Sequence, residues 1–127
     1  MKVLLDTHAV LWAMAEPTRL SRKARRFLAS GAGPLVSAAT LWEITLKAQA
    51  GKLILPASPA RFLEAHLAEL QAITLPVRPN HVFRTFALPR HHKDPFDRLL
   101  IAQALEEGAA IMTADRLIAS YPVEILW

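Results

Sequence analysis

The chain has 127 residues, enough for one domain with a real core, and 53% of them are hydrophobic, which excludes a disordered chain. No apolar run approaches the length of a membrane span, and Met1–Leu5 meets Asp6 too soon for a signal peptide, so a soluble cytoplasmic protein is expected. The absence of cysteine excludes disulfides, a thiol nucleophile and Cys-type zinc sites, while a net charge of +4 and a pI near 10.0 suit a polyanion such as nucleic acid. The same basic excess also suits an acidic protein partner, or a surface kept soluble.

In chain order, Val3–Leu5 reads as a short buried strand, followed by an apolar helix over His8–Ala15 with Thr7 as its candidate N-cap. Glu16-Pro17-Thr18 breaks that helix, and Ser21 caps a basic helix over Arg22–Ala29 that Gly31 closes. Pro34–Ser37 reads as a strand, Ala38–Ala50 as a helix ending at Gly51, and Lys52–Leu55 as a short extended piece. Ser58-Pro59 starts a helix to about Gln71, and Ile73–Leu75 is a third strand. A short helix over Pro79–Ala87 leads into a basic loop, Pro89–Lys93. Pro95–Glu107 is a helix ending at Gly108, Ala110–Thr113 a strand, Asp115–Ser120 a helix and Val123–Leu126 a last strand. Short apolar strands alternating with helices indicate a mainly parallel α/β sheet covered on both faces, in one domain spanning residues 1–127.

Four acids sit at edges of apolar segments: Asp6 after Val3–Leu5, Glu43 beside Trp42 and Ile44, Asp97 before Leu99–Ala102, and Asp115 after Ile111–Ala114. One such acid needs only a cap or an ion pair; four suggest a divalent metal held by oxygen ligands. Open parallel sheets place their sites beyond the carboxyl ends of the strands, where Asp6 and Asp115 fall. Each acid also has a plain structural explanation. Asp6 lies at a helix start, although Thr7 would cap that helix and leave Asp6 free. Glu43 is four residues from Lys47, the spacing of an exposed helical ion pair. Asp94 is a good N-cap before Pro95, and Asp97 stands where a capping-box acid would. Asp115 can cap the next helix, with Thr113 placed to bond in the same pocket.

The histidines make no zinc signature: His91 and His92 are adjacent and read as exposed, and His8, His66 and His81 are scattered. Phosphate-binding GxxxxGK[ST] and GxGxxG loops and a GxSxG serine elbow are absent. Most of the large aromatics Trp12, Trp42, Phe62, Phe83 and Trp127 are expected in the core.

Three segments carry a resemblance: Leu4-Leu5-Asp6-Thr7-His8; Ser37 through Ile44 running on to Lys47 and Gly51-Lys52-Leu53; and His92-Lys93-Asp94-Pro95-Phe96-Asp97-Arg98 through Ala104, followed by Thr113-Ala114-Asp115. In order and spacing they resemble a PIN-domain ribonuclease of the VapC toxin type over essentially the whole chain. The resemblance implies a three-layer α/β/α sandwich and Mg²⁺- or Mn²⁺-dependent hydrolysis of RNA, leaving a 5′-phosphate and a 3′-hydroxyl. It maps Asp6, Glu43, Asp97 and Asp115 to metal-binding acids and Thr7 and Thr113 to supporting hydroxyls. Asp94 and Arg98 match residues typical of this branch. It further implies a small VapB-like antitoxin that blocks the site, and toxin homodimers. Candidate RNA-gripping residues are Arg90, His91, His92 and Lys93, with Arg22 and Arg25 from the basic stretch Arg19–Arg26. The competing readings are a housekeeping PIN-type RNA-processing nuclease and a catalytically silent PIN module that binds RNA or protein. A phospho-acceptor receiver domain is disfavoured, because Asp6 is single and no suitable late lysine exists.

Overall fold

A computed structural model describes all residues, 1–127. In chain order its elements are β1 (Val3–Leu5), α1 (Thr7–Ala15), α2 (Arg22–Ala29), β2 (Leu35–Ser37), α3 (Ala38–Gln49), α4 (Pro59–Glu69), β3 (Ile73–Leu75), α5 (Pro79–Arg84), α6 (Pro95–Glu107), β4 (Ala110–Met112), α7 (Arg116–Ala119) and β5 (Ile125–Leu126). The strands form one sheet in the order β3-β2-β1-β4-β5, and every neighbouring pair is parallel. The chain therefore winds outward from β1 to one edge, then returns to the other side of β1. The crevice between β1 and β4 is the switch point at which such sheets build sites.

Side-chain alternation splits the core in two. Val3 and Leu5, with Ala110 and Met112, face one way and pack with Ala9, Ala24, Ile44 and Phe62 of α1 to α4. Leu4 and Ile111 face the other way and pack with Leu100, Ile101 and Ala104 of α6, and with Ile118 of α7. This is the expected three-layer sandwich, with strands apolar on both faces because both are covered.

Local chemistry sets the helix ends. Ser21, Ser37, Ser58, Asp94 and Asp115 each accept a hydrogen bond from a backbone N–H of the turn they precede. Pro59, Pro79 and Pro95 occupy first-turn positions where no intrahelical N–H is required. Gly108 ends α6 at φ +64°, a left-handed conformation that costs a side-chain-bearing residue more than glycine.

The structure departs from expectation in several places. Asp6, not Thr7, caps α1, because the helix begins one residue earlier and the Thr7 hydroxyl is used elsewhere. The piece Lys52–Leu55, expected to be extended, bends at Lys52 and Leu53, with Leu53 and Leu55 packed on the first core cluster. The predicted helix Pro79–Ala87 stops at Arg84 and tightens into a 3-10 turn over Thr85–Ala87, and a second such turn covers Pro17–Arg19. Most of the large aromatics do join the core, as expected: Phe62 lies in it and Trp12 and Trp127 pack against it, while Trp42 and Phe83 are 60% and 75% exposed. Trp42 meets the ring of Phe96 edge-on, at 5.3 Å between centroids.

Candidate active site

Asp6 follows β1 directly and is almost fully buried. Its Oδ1 accepts the Ala9 N–H at 2.7 Å, and its Oδ2 accepts the Thr113 hydroxyl at 2.5 Å. Thr113 lies just past β4, and its Oγ1 in turn accepts the Asp115 N–H at 2.9 Å. The ends of β1 and β4 are thus tied through one threonine. Each carboxylate oxygen has two acceptor sites, so capping α1 does not exhaust Asp6.

Glu43 reaches the same crevice from α3. It is buried, its Oε1 accepts the Thr7 hydroxyl at 2.6 Å, and its Oε2 pairs with Lys47 at 3.2 Å. The helical ion pair foreseen for Glu43 exists, but on an inward face. Asp97 enters from the first turn of α6. Asp94 caps that helix by accepting the Phe96 and Asp97 N–H groups at 2.8 and 3.3 Å. Asp97 itself is turned to His92, whose Nε2 lies 2.9 Å from its Oδ2 and 3.5 Å from Oδ2 of Asp115. The remaining Asp115 oxygen accepts the Leu117 N–H at 2.8 Å and caps α7.

Crowding shows in the proton affinities. Burial is the main cause that pushes the Asp97 carboxyl up to about 7; Asp94 adds to it, His92 opposes it, and Glu43 and Asp6 add further. Burial likewise raises Asp6, opposed by the hydrogen bonds from Thr113 and Ala9 and by His8, while Asp115 pushes it higher. Four carboxylates therefore feel one another across the crevice with too little positive charge to balance them. The side chains whose ligand atoms all lie within 4.8 Å of one another are His92, Asp97 and Asp115, and a hard divalent cation suits the carboxylate oxygens among them.

A model of the family described as "PIN domain" matches residues 3–124. The chain belongs to the PIN-domain family. Ribonuclease VapC22 of Mycobacterium tuberculosis is 33% identical over 120 residues, which cover 94% of this chain and 91% of that protein. Two solved structures share the fold at low identity. A chain of VapBC2 from Rickettsia felis, bound to a DNA fragment from its promoter, superposes with a TM-score of 0.76 at 16% identity, covering 98% of this chain and 97% of that one. A chain of DNA-bound VapBC from Salmonella typhimurium gives 0.71 at 18% identity, covering 98% and 96%.

Around the acids of this PIN domain, the other foreseen residues separate into distinct roles. Arg98 does not touch the acids. Its guanidinium donates to the carbonyls of Pro89 and Thr85 at 2.8 and 3.0 Å and to the Tyr121 hydroxyl at 3.1 Å, pinning the segment that carries His92. Arg90, His92, Lys93 and Arg98 line the largest cavity, about 700 Å³, with Phe86 and Thr85 opposite. It lies beside the acids, and His92 belongs to both. His91 is exposed, with its ring edge-on to Tyr121 at 5.1 Å. Arg22 and Arg25 project to solvent from α2, and no hydrogen bond or ion pair joins them to the acids.

His92 is the principal correction. Sequence reading left it exposed among the RNA-gripping residues, whereas its side chain is only 14% exposed and lies against the carboxylates of Asp97 and Asp115. Adjacency to Asp94-Pro95-Phe96-Asp97 is the only sequence signal for this placement. Tyr121, which holds the His92 backbone, carried no signal at all.

Proposed function

We propose that the chain is a metal-dependent endoribonuclease of the VapC type, the toxin of a toxin–antitoxin pair. The observation that carries this reading is the convergence of Asp6, Glu43, Asp97 and Asp115 at the β1/β4 switch point, in a chain 33% identical to a ribonuclease. Their supports belong to the same reading: Thr7 orients Glu43, Thr113 orients Asp6, and Asp94 sets the start of α6 beneath Asp97. When bound there, Mg²⁺ or Mn²⁺ supplies an acidified water and offsets charge on the phosphate.

The chain's own groups do the rest. Asp6 and Asp97, the acids with raised proton affinity, are assigned as the main ligands, with Glu43 and Asp115 flanking them. A carboxylate left free beside an attacking water accepts its proton. The water oxygen then bonds to phosphorus as the P–O3′ bond breaks, and the departing 3′-oxygen takes a proton from solvent water, giving a 5′-phosphate and a 3′-hydroxyl. The acids repel RNA, so Arg90 and Lys93 in the wall of the neighbouring cavity are assigned to hold flanking phosphates.

Two protein partners belong to the proposal: a small VapB-like antitoxin and a second copy of the chain. Exposed apolar side chains support both. Trp42 on α3, Val82 and Phe83 on α5, and Phe86 beyond it, 97% exposed, form more uncovered apolar area than a monomer needs. Helices α3 and α5 both pack on α6.

Incubation of total cellular RNA with the purified, antitoxin-free chain tests the activity. Discrete fragments that need Mg²⁺ or Mn²⁺ and vanish with chelator or in Asp97→Asn are expected. Equal cleavage by Asp97→Asn would reject the assignment, and an inert, folded wild type would favour the binding-only module.

A further inference from the structure

His92 meets the acids with one nitrogen and the backbone with the other. Its Nδ1 lies 3.2 Å from the backbone nitrogen of Asp94, whose N–H can only donate. Nδ1 is therefore the bare, accepting nitrogen, and in the neutral ring the proton sits on Nε2. Nε2 lies 2.9 Å from Oδ2 of Asp97 and 3.5 Å from Oδ2 of Asp115, close charge contacts without the alignment of a hydrogen bond. The three groups have ligand atoms within 4.8 Å of one another, a grouping that by distance alone resembles a mixed His-Asp-Asp metal site. The tautomer argues otherwise, because a protonated Nε2 has no lone pair to give a metal.

The ring is held from outside as well. The His92 N–H donates to the Tyr121 hydroxyl at 2.8 Å, and the same hydroxyl accepts from Arg98 at 3.1 Å. Tyr121 is buried, so a rigid path runs from the core through the loop to the imidazole. The two acids it meets come from different elements, α6 and the β4–α7 junction, and no hydrogen bond links them directly.

Resting on the metal-dependent reading above, we propose that His92 is a positioning residue rather than a ligand. Its positively polarised Nε2 edge sits beside Oδ2 of both Asp97 and Asp115, and this charge contact holds the two carboxylates in place for the cation. Groups of this kind around a metal site typically change affinity by about 10- to 100-fold when removed.

The test is equilibrium Mn²⁺ binding, followed by the electron spin resonance of the bound ion, on wild type, His92→Ala and His92→Gln. The glutamine amide can present an N–H near the Nε2 position; alanine cannot. His92→Ala should weaken Mn²⁺ binding about 10-fold or more, while His92→Gln stays within about threefold of wild type. Wild type should show no coupling of the ion to a directly bound nitrogen that disappears in His92→Gln. Such a coupling would make His92 a ligand and overturn the proposal. Unchanged Mn²⁺ affinity in a folded His92→Ala protein would overturn it too. If His92→Ala does not fold, the wild-type and His92→Gln spectra still decide. A wild type that binds no Mn²⁺ at millimolar concentration rejects the metal-dependent reading itself, an outcome distinct from either of these.

Discussion

Each carboxylate of the site combines a local structural task with the proposed chemical one. Asp6 caps α1 with one oxygen and accepts Thr113 with the other; Asp115 caps α7 and keeps one oxygen near His92. The caps excuse neither acid from the site, since an acid at a helix start after a strand serves both purposes at once. Asp6→Asn and Asp97→Asn are expected to lower RNA cleavage at least about 100-fold while circular dichroism stays native, because each removes a charge without changing shape. The raised carboxyl of Asp97 adds a pH dependence. A proton held to about 7 when folded, but released near 3.8 when unfolded, favours the folded state at low pH. That contribution is full below the unfolded value and is lost as pH rises toward 7. Metal-free protein in chelator should therefore lose roughly 1–3 kcal/mol from this group between pH 4 and pH 7, and Asp97→Asn should flatten that slope. Chemical denaturation across the range reads the difference, and an identical slope in the two proteins would contradict it.

At the scale of elements, α6 and the loop before it organise the site. Asp94 caps the helix, Pro95 starts it, Asp97 points into the crevice, and Arg98 turns outward to hold Thr85 and Pro89. Asp94→Ala should cost about 1 kcal/mol, the usual worth of an N-cap, measured by denaturant unfolding. These caps and prolines are legible in sequence because their signals are local, and so are the bounds of α6. Strand identity was legible for the same reason, since Val3–Leu5 and Ile73–Leu75 are short apolar runs between breakers. Thr7 misled because two adjacent residues could each cap α1, and the choice rested on Glu43, thirty-six residues away, claiming the Thr7 hydroxyl. His92 misled because its partners lie on α6 and after β4, and pairing across elements leaves no trace in local spacing. Sequence could not separate Trp42 and Phe83 from the aromatics that do pack in the core, because size does not say which side of a helix faces the sheet.

Across the whole molecule, charge is segregated, with an acidic crevice beside a basic cavity and a net charge of +4 overall. Neutralising Arg90 and Lys93 together should weaken RNA binding and flatten its dependence on salt by about one to two units of log–log slope. A filter-binding titration at several salt concentrations would show this, and an unchanged slope would reject the cavity as the RNA grip. The exposed apolar side chains of α5 and the turn after it predict self-association: Phe83→Ser with Phe86→Ser should shift sedimentation toward monomer without lowering the melting temperature. The central claim is that acids from four parts of the chain form one metal centre. Calorimetric titration of Mn²⁺ into wild type and into Asp6→Asn, Glu43→Gln, Asp97→Asn and Asp115→Asn, each first shown to be folded, tests it most directly. The account predicts saturable binding to wild type and a clear loss of affinity in every variant, largest for Asp6 and Asp97. Binding that survives unchanged in Asp6→Asn and Asp97→Asn, or no binding to wild type, would contradict it.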